Sequence, residues 1–284
     1  MFKIAIKNEF FAKHIRRYSN LRKLFVFKVT HIHSVKDDEL RSELYEGIYT
    51  GNNTAKSTKV KRFKDIDDVS LKYLNPDENV VHDIAVSNGV TSVEFYDKIK
   101  QSGKNAEFYI SDKYSTYCFT GNFITKVFSV DKKLICGYVF FILADNHINR
   151  IFFMSHLLFH FLKLFSVPEQ LSKISLYDKK TISFIENKLI QEISYDVFDA
   201  NIDDKFTFIR CMNLLQLPYF SEQQITIALE NIKLSLKDSG IFQIGRTSQD
   251  GTNNVSIYKK IASKFIVLEH INKGYENNTL VISA

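Results

Sequence analysis

The sequence predicts an α/β fold built on a mostly parallel sheet, and three observations carry that expectation. From residue 79 onward, short β-branched runs alternate with segments of helical apolar spacing, the pattern of strands joined by crossover helices. The first such run ends in an acid and a small-residue turn, Asp83-Ile84-Ala85-Val86-Ser87-Asn88-Gly89, and a helical pattern follows it. The composition is 45% hydrophobic and 14% aromatic, with only three Pro and ten Gly, which supplies a core and excludes a disordered or collagen-like chain.

In chain order, residues 1–78 read as an N-terminal helical segment. Within it, residues 10–27 have the spacing of a basic amphipathic helix and 37–48 that of a more acidic one, before a polar loop at 51–57. The strand 79–84, the helix 90–100 stopped at Gly103, and the strand 106–110 leading to Asp112 open the domain expected over 79–284. A third strand is expected at 192–198 and a fourth at 206–211. The helix 222–236 has Ile225, Ala228, Leu229, Ile232 and Leu236 on one face, and Asp238-Ser239-Gly240 ends it before a fifth strand at 241–244. Residues 255–261, 265–271 and 280–282 read as closing strands. An apolar insertion at about 114–181 interrupts this rhythm, with a hairpin, 123–130 and 134–141, around Asp131-Lys132-Lys133. Its helix, 151–165, is apolar nearly all round, with His156, His160 and Lys163 on one stripe.

The formal charge of +6 is uneven: the first 28 residues hold eight Lys and Arg against Glu9 alone, and a second basic run holds Lys56, Lys59, Lys61, Arg62 and Lys64. Such runs are ordinarily solvated faces, and where they bind, the partner is anionic, such as a lipid headgroup. Cys118, Cys136 and Cys211 form no CxxC pair, which argues against a zinc knuckle or dithiol site and for reduced thiols in the cytoplasm. No signal peptide is visible. Neither apolar segment of the insertion, 134–144 or 151–167, reaches the roughly 20 residues a spanning helix needs.

An acid at a strand end, a tight turn and a helix start suit a nucleotide, because the backbone can approach it and the first amides of the helix can donate. The run from Asp83 to Gly89 resembles the D-x-G-x-G-x-G motif of class I S-adenosylmethionine methyltransferases, with Ala85 and Ser87 where glycines usually stand. Asp112 matches the acid that in that family binds the ribose hydroxyls. Phe198-Asp199-Ala200 resembles its third-strand motif, in which the acid takes the adenine amino group and the small neighbour lies against the ring. Ile209-Arg210-Cys211-Met212-Asn213-Leu214-Leu215, with Tyr219-Phe220 behind it, is similar to a fourth-strand motif ending in Asn-x-Leu. Leu236-Lys237-Asp238-Ser239-Gly240 resembles the L-K-P-G-G turn with Pro and one Gly lost.

The resemblance covers 79–284 without the insertion. It implies a seven-stranded, mostly parallel Rossmann-like sheet that holds S-adenosylmethionine through Asp83, Ala85, Ser87, Gly89, Asp112, Asp199, Ala200 and Asn213. Ser87 and Gly89 are expected at the methionine end, where Gly89→Val should abolish binding with little loss of stability. Asn213 and Tyr219 are the candidate catalytic residues, for methyl transfer to an unidentified acceptor that is small or hydrophobic. The alternative is a non-catalytic binding module that acts through its apolar insertion. Peripheral membrane contact through the basic N-terminal helix and the insertion is a further expectation; nucleic acid is not an expected partner. A dehydrogenase is disfavoured because G-x-G-x-x-G is absent, and a serine hydrolase because G-x-S-x-G is absent. His156 and His160 have metal-pair spacing without a third ligand, and His31-x-His33 reads as a half-exposed pair on a strand-like stretch. His82, inside an apolar run, reads as a packed core histidine.

Overall fold

The apolar runs after residue 78 pair with one another, whereas the insertion pairs with the start of the chain. The computed structural model describes residues 3–16, 25–45, 48, 58–121, 123–146, 153–199 and 202–284. In chain order the described elements are β1 (Lys3–Ile6), α1 (Glu9–Arg16), β2 (Phe25–Phe27), α2 (Asp38–Tyr45), α3 (Lys64–Ser70), β3 (Val80–Ile84), α4 (Val90–Gln101) and β4 (Glu107–Ser111). There follow β5 (Thr116–Phe119), β6 (Ile124–Phe128), β7 (Leu134–Val139), β8 (Ile142–Asp145), α5 (Phe153–Lys163), β9 (Ser172–Ser175), α6 (Lys179–Glu186) and β10 (Gln191–Glu192). The chain closes with β11 (Phe206–Met212), α7 (Glu222–Ser235), β12 (Leu236–Thr247), β13 (Asn253–Ile261), β14 (Lys264–Ile271) and α8 (Asn278–Ser283). Two compact units result: Met1–Lys59 with Tyr114–Lys179, and Val60–Lys113 with Lys180–Ala284.

The second unit has the Rossmann-like α/β fold that the motifs imply. Its seven strands run in the order β10-β4-β3-β11-β12-β13-β14; the first five are parallel, and β13 and β14 close the sheet as antiparallel neighbours. The central strand β3 is buried along Val81 to Ile84, as a parallel strand covered on both faces must be. On α7, Ile225, Ala228, Leu229 and Ile232 all pack into the core, and the Ser221–Gln224 capping box satisfies its first amides. The expected boundary at residue 78 lies inside this unit, since α3 packs through Ile66 against Met212 and Val255.

The first unit contains a second seven-stranded sheet, ordered β2-β1-β8-β7-β6-β5-β9. Its neighbours are antiparallel except β1 and β2. The insertion is therefore one part of a sheet whose other part is the strands Lys3–Ile6 and Phe25–Phe27. The expected hairpin is β6–β7, and α5 lies on its surface through Phe159 and Leu162. A Cβ on Gly137 would sit 2.3 Å from Leu162 Cδ1, so this glycine lets the helix close on the strand. The core of this unit gathers Tyr45, Tyr117, Val127, Tyr138 and Leu176.

Several elements differ from the sequence reading. Of the helix expected over 10–27 the described part is Glu9–Arg16, and Phe25–Phe27 is a strand that pairs in parallel with Ile4–Ile6; residues 17–24, and the polar loop at 51–57, lie outside the described residues. His31 and His33 sit in a 3-10 helix, Val29–Ser34, rather than a strand, because Ile32 is drawn into the core. Residues 280–282 are helical: Leu280, Val281 and Ala284 reach the core together, and three apolar residues are too few to reveal a period. The third strand keeps only Gln191–Glu192, after which the Phe198 amide turns back to the Asp196 carboxylate. The turn 237–240 bulges out of β12, whose pairing with β11 resumes at Ile241.

Candidate functional site at the carboxyl ends of the parallel strands

Asp83 is at the end of β3, and its register partner on β11 is Arg210. Arg210 is fully buried. Its guanidinium donates to Asp83 Oδ1 at 3.0 Å and Oδ2 at 2.5 Å, to Asp67 Oδ1 at 2.6 Å, and to the Thr91 carbonyl at 3.1 Å. Ser92 Oγ donates to Asp83 Oδ2 at 2.6 Å. Asp83 is thus engaged inside the protein, tying β3 to β11 and to the start of α4. Charge balance explains it: a buried Arg requires paired carboxylates with their remaining lone pairs satisfied. Burial pushes the Asp67 carboxyl up to about 7, with Arg210 opposing and Asp83 adding to the rise. Burial also works against the Arg210 charge, but Asp83 and Asp67 outweigh it and hold its pKa above the ordinary value. The sequence reading names no role for Asp67 or for Arg210, which it quotes only within the fourth-strand motif. An Arg between Ile209 and Cys211 in an otherwise apolar run was the available signal, since Arg is almost never fully buried unless paired.

The turn after β3 keeps an unusual backbone. Ala85, Ser87 and Gly89 all have positive φ, at 58°, 61° and 79°. The first two are the positions where the resembling motif has glycine, so the left-handed conformations persist although the residues that tolerate them have been replaced. Each costs about 1–2 kcal/mol for a residue with a Cβ. The surroundings hold them: the Val86 amide donates to the Ser111 carbonyl at 3.2 Å, the Gly89 amide to the Val86 carbonyl at 2.9 Å, and the Ser87 amide to Asp112 Oδ2 at 2.7 Å. Asp112, half-buried at the end of β4, therefore stands against Ser87 as the sequence order implies. Gly89 has another neighbour. A Cβ there would lie 2.4 Å from Thr181 Cγ2, so Gly89 is a packing glycine, and the expectation that Gly89→Val spares stability is corrected.

Asn213, also left-handed at φ 60°, fastens the ends of β11 and β12. Its amide donates to the Gly245 carbonyl at 2.8 Å, and its side-chain oxygen accepts from the Thr247 amide at 2.7 Å. The Asp199 side chain is exposed, with its amide on the Asp196 carbonyl at 3.0 Å; Phe198 before it packs on Phe220, ring centroids 5.1 Å apart. Ala200 lies outside the described residues. Tyr219 is exposed. His82 is a core residue: its ring packs on Tyr195 and Phe206, Nε2 pairs with Ser111 Oγ at 2.8 Å, and burial lowers its pKa to about 3. His156 and His160 touch each other, Nε2 to Nε2 at 3.1 Å.

What the structure brings together is Ser87 and Asp112, with Ala85 and Gly89 in the same turn. A carboxylate at the carboxyl end of a parallel sheet, beside a tight turn, can accept paired hydroxyls.

No family model and no curated protein matches this chain. Solved structures match it at low identity and low TM-score. The PH0226 protein of Pyrococcus horikoshii OT3 is 14% identical, with a TM-score of 0.40 over 84% of this chain and 87% of that one. A putative S-adenosyl-L-methionine-dependent methyltransferase of Methanococcus maripaludis is 12% identical, with a TM-score of 0.33 over 65% and 55%. The 1,6-didemethyltoxoflavin-N1-methyltransferase of Burkholderia thailandensis, solved with S-adenosylhomocysteine, is 10% identical, with a TM-score of 0.36 over 78% and 64%.

Proposed function

We propose that the second unit binds S-adenosylmethionine and transfers its methyl group to a small or hydrophobic acceptor. The observation that supports this reading is the turn at 85–89, which holds left-handed backbone at Ala85 and Ser87 and sets the Ser87 amide on Asp112. Strain of this kind persists where the surroundings over-determine it, and it clusters at ligand sites. In this reading Asp112 takes the ribose hydroxyls, the turn backbone lies along the cofactor, and Asp199 is available to the adenine amino group. Bound cofactor would supply an electrophilic methyl; the chain's contribution is alignment and exclusion of water rather than a strong base. Asn213 acts here by setting the ends of β11 and β12, and Tyr219 lies on the acceptor side.

Titration calorimetry with S-adenosylmethionine and S-adenosylhomocysteine tests the proposal. Binding is expected for both, and Asp112→Ala should weaken it roughly tenfold or more, since a hydrogen bond to a charged group contributes about 1.5–3 kcal/mol. An absence of heat with both ligands, or an Asp112→Ala protein that binds as wild type does, removes the reading. The non-catalytic alternative draws on Asp83 and Asn213, whose side chains are engaged within the protein. Binding without turnover across a panel of small amine, hydroxyl and thiol acceptors would favour it.

A further inference from the structure

The first unit carries apolar groups where a self-sufficient domain would carry polar ones. Helix α5 buries Phe159 and Leu162, but Phe161, Leu164 and the following Phe165 face solvent, with Leu164 81% exposed. A second set sits at one end of the strands β6, β7 and β8: Phe123, Phe140 and Phe141 are exposed, and Phe123 and Phe140 lie 5.7 Å apart, ring to ring. Both sets are tied to β6. Lys126 Nζ donates to the Phe165 carbonyl at 3.2 Å, and Lys126 stands two residues along β6 from Ile124, on the same face and next to Phe123.

Positive charge accompanies the aromatics. Lys28 Nζ donates to the Phe140 carbonyl at 2.6 Å, and exposed Lys7 lies close enough to depress the Lys28 pKa, after burial itself. Over the whole unit, 1–59 with 114–179, there are 19 Lys and Arg against 10 Asp and Glu, a net +9. The other unit has 19 against 22, a net −3. Two like-charged copies repel each other, whereas an anionic bilayer is attracted to such a surface and admits its apolar side chains. No described helix is long and apolar enough to cross a membrane, so the chemistry fits a surface that inserts shallowly.

We infer that the edge formed by Phe123, Phe140 and Phe141, together with Phe161, Leu164 and Phe165 of the α5 end, docks the protein on an anionic lipid bilayer. This inference stands independently of methyl transfer. The test is co-sedimentation of the full chain with vesicles of phosphatidylcholine alone and of phosphatidylcholine with phosphatidylserine in equal parts, at low and high salt. Binding is expected to the anionic vesicles and to weaken with salt. Phe140→Asp with Phe141→Asp, and separately Leu164→Asp, should each reduce it at least about tenfold while leaving the melting temperature unchanged, because all three side chains are exposed. A chain that stays in the supernatant with the anionic vesicles overturns the inference, as does undiminished binding by both variants. A dimer in light scattering that these substitutions convert to monomer would assign the surface to self-association instead, and also overturns it.

Discussion

In the parallel sheet of β3, β4 and β11 charged groups lie inside, and in the antiparallel sheet of β5 to β8 aromatic groups lie outside. Both sheets have seven strands, yet each inverts the ordinary rule at a different place. Arg210, Asp83 and Asp67 are buried in the first, where no water can screen them and geometry alone keeps them satisfied. Phe123, Phe140 and Phe141 are exposed in the second, where they add little to folding. The difference separates two kinds of constraint: the inner charges bear on stability, and the outer rings are free to change without cost to the fold.

The sharpest way to break that comparison is to remove the inner cation. Arg210→Leu leaves two buried carboxylates without their partner and should cost about 3–5 kcal/mol in thermal or urea unfolding, whereas Phe140→Asp on the outer edge should stay within about 0.5 kcal/mol. Comparable losses from both would dissolve the distinction.

Next in size is Gly89→Ala. The positive φ and the approach of Thr181 together predict a loss of about 1–3 kcal/mol, and Thr181→Ala in the same chain should restore the steric part only. If Gly89→Ala melts as wild type does, the Gly89–Thr181 packing is not tight.

The buried titrating groups predict opposite pH slopes. His82 has a folded pKa of about 3 against an ordinary 6.5, so its contribution is present above pH 6.5 and lost as pH falls toward 3. Asp67 has a folded pKa of about 7 against 3.8, so its contribution is present below pH 3.8 and lost as pH rises through 7. Each slope approaches about 1.4 kcal/mol per pH unit at most. In denaturant titrations across pH 4 to 7, Asp67→Asn should therefore grow more stable with rising pH, and His82→Gln less stable. Parallel profiles for the two variants would refute both assignments.

The smallest effect belongs to the turn. Ala85→Gly and Ser87→Gly remove left-handed strain of about 1–2 kcal/mol each while adding unfolded-state entropy of about 0.5–1 kcal/mol, leaving each variant slightly more stable. Destabilisation of either would show that the side chain, not the backbone, is what the turn needs.

The sequence was most legible where period and order sufficed. β3, α4, β4, β11 and α7 lie within a residue or two of their expected bounds, because each carries a long apolar pattern or a clear cap. It was least legible where tertiary pairing decided. Nothing local in residues 25–27 says that they pair with 4–6, and nothing in the insertion says that its sheet is completed by the start of the chain. The contact between Asp112 and the turn was legible because both stand at strand ends that the apolar pattern sets side by side. Asp83 was assigned to a ligand because strand-end acids commonly face one; its partner Arg210 is 127 residues away along the chain, beyond the reach of any local pattern.

The engagement of Asp83 has an evolutionary consequence. Its carboxylate, Asp67 and Arg210 form a lock in which loss of the cation strands two buried carboxylates, so Arg210 cannot be exchanged alone. Asp83 is thereby bound to the identity of residue 210, whereas Asp112, half-buried on the Ser87 amide, is not tied to either.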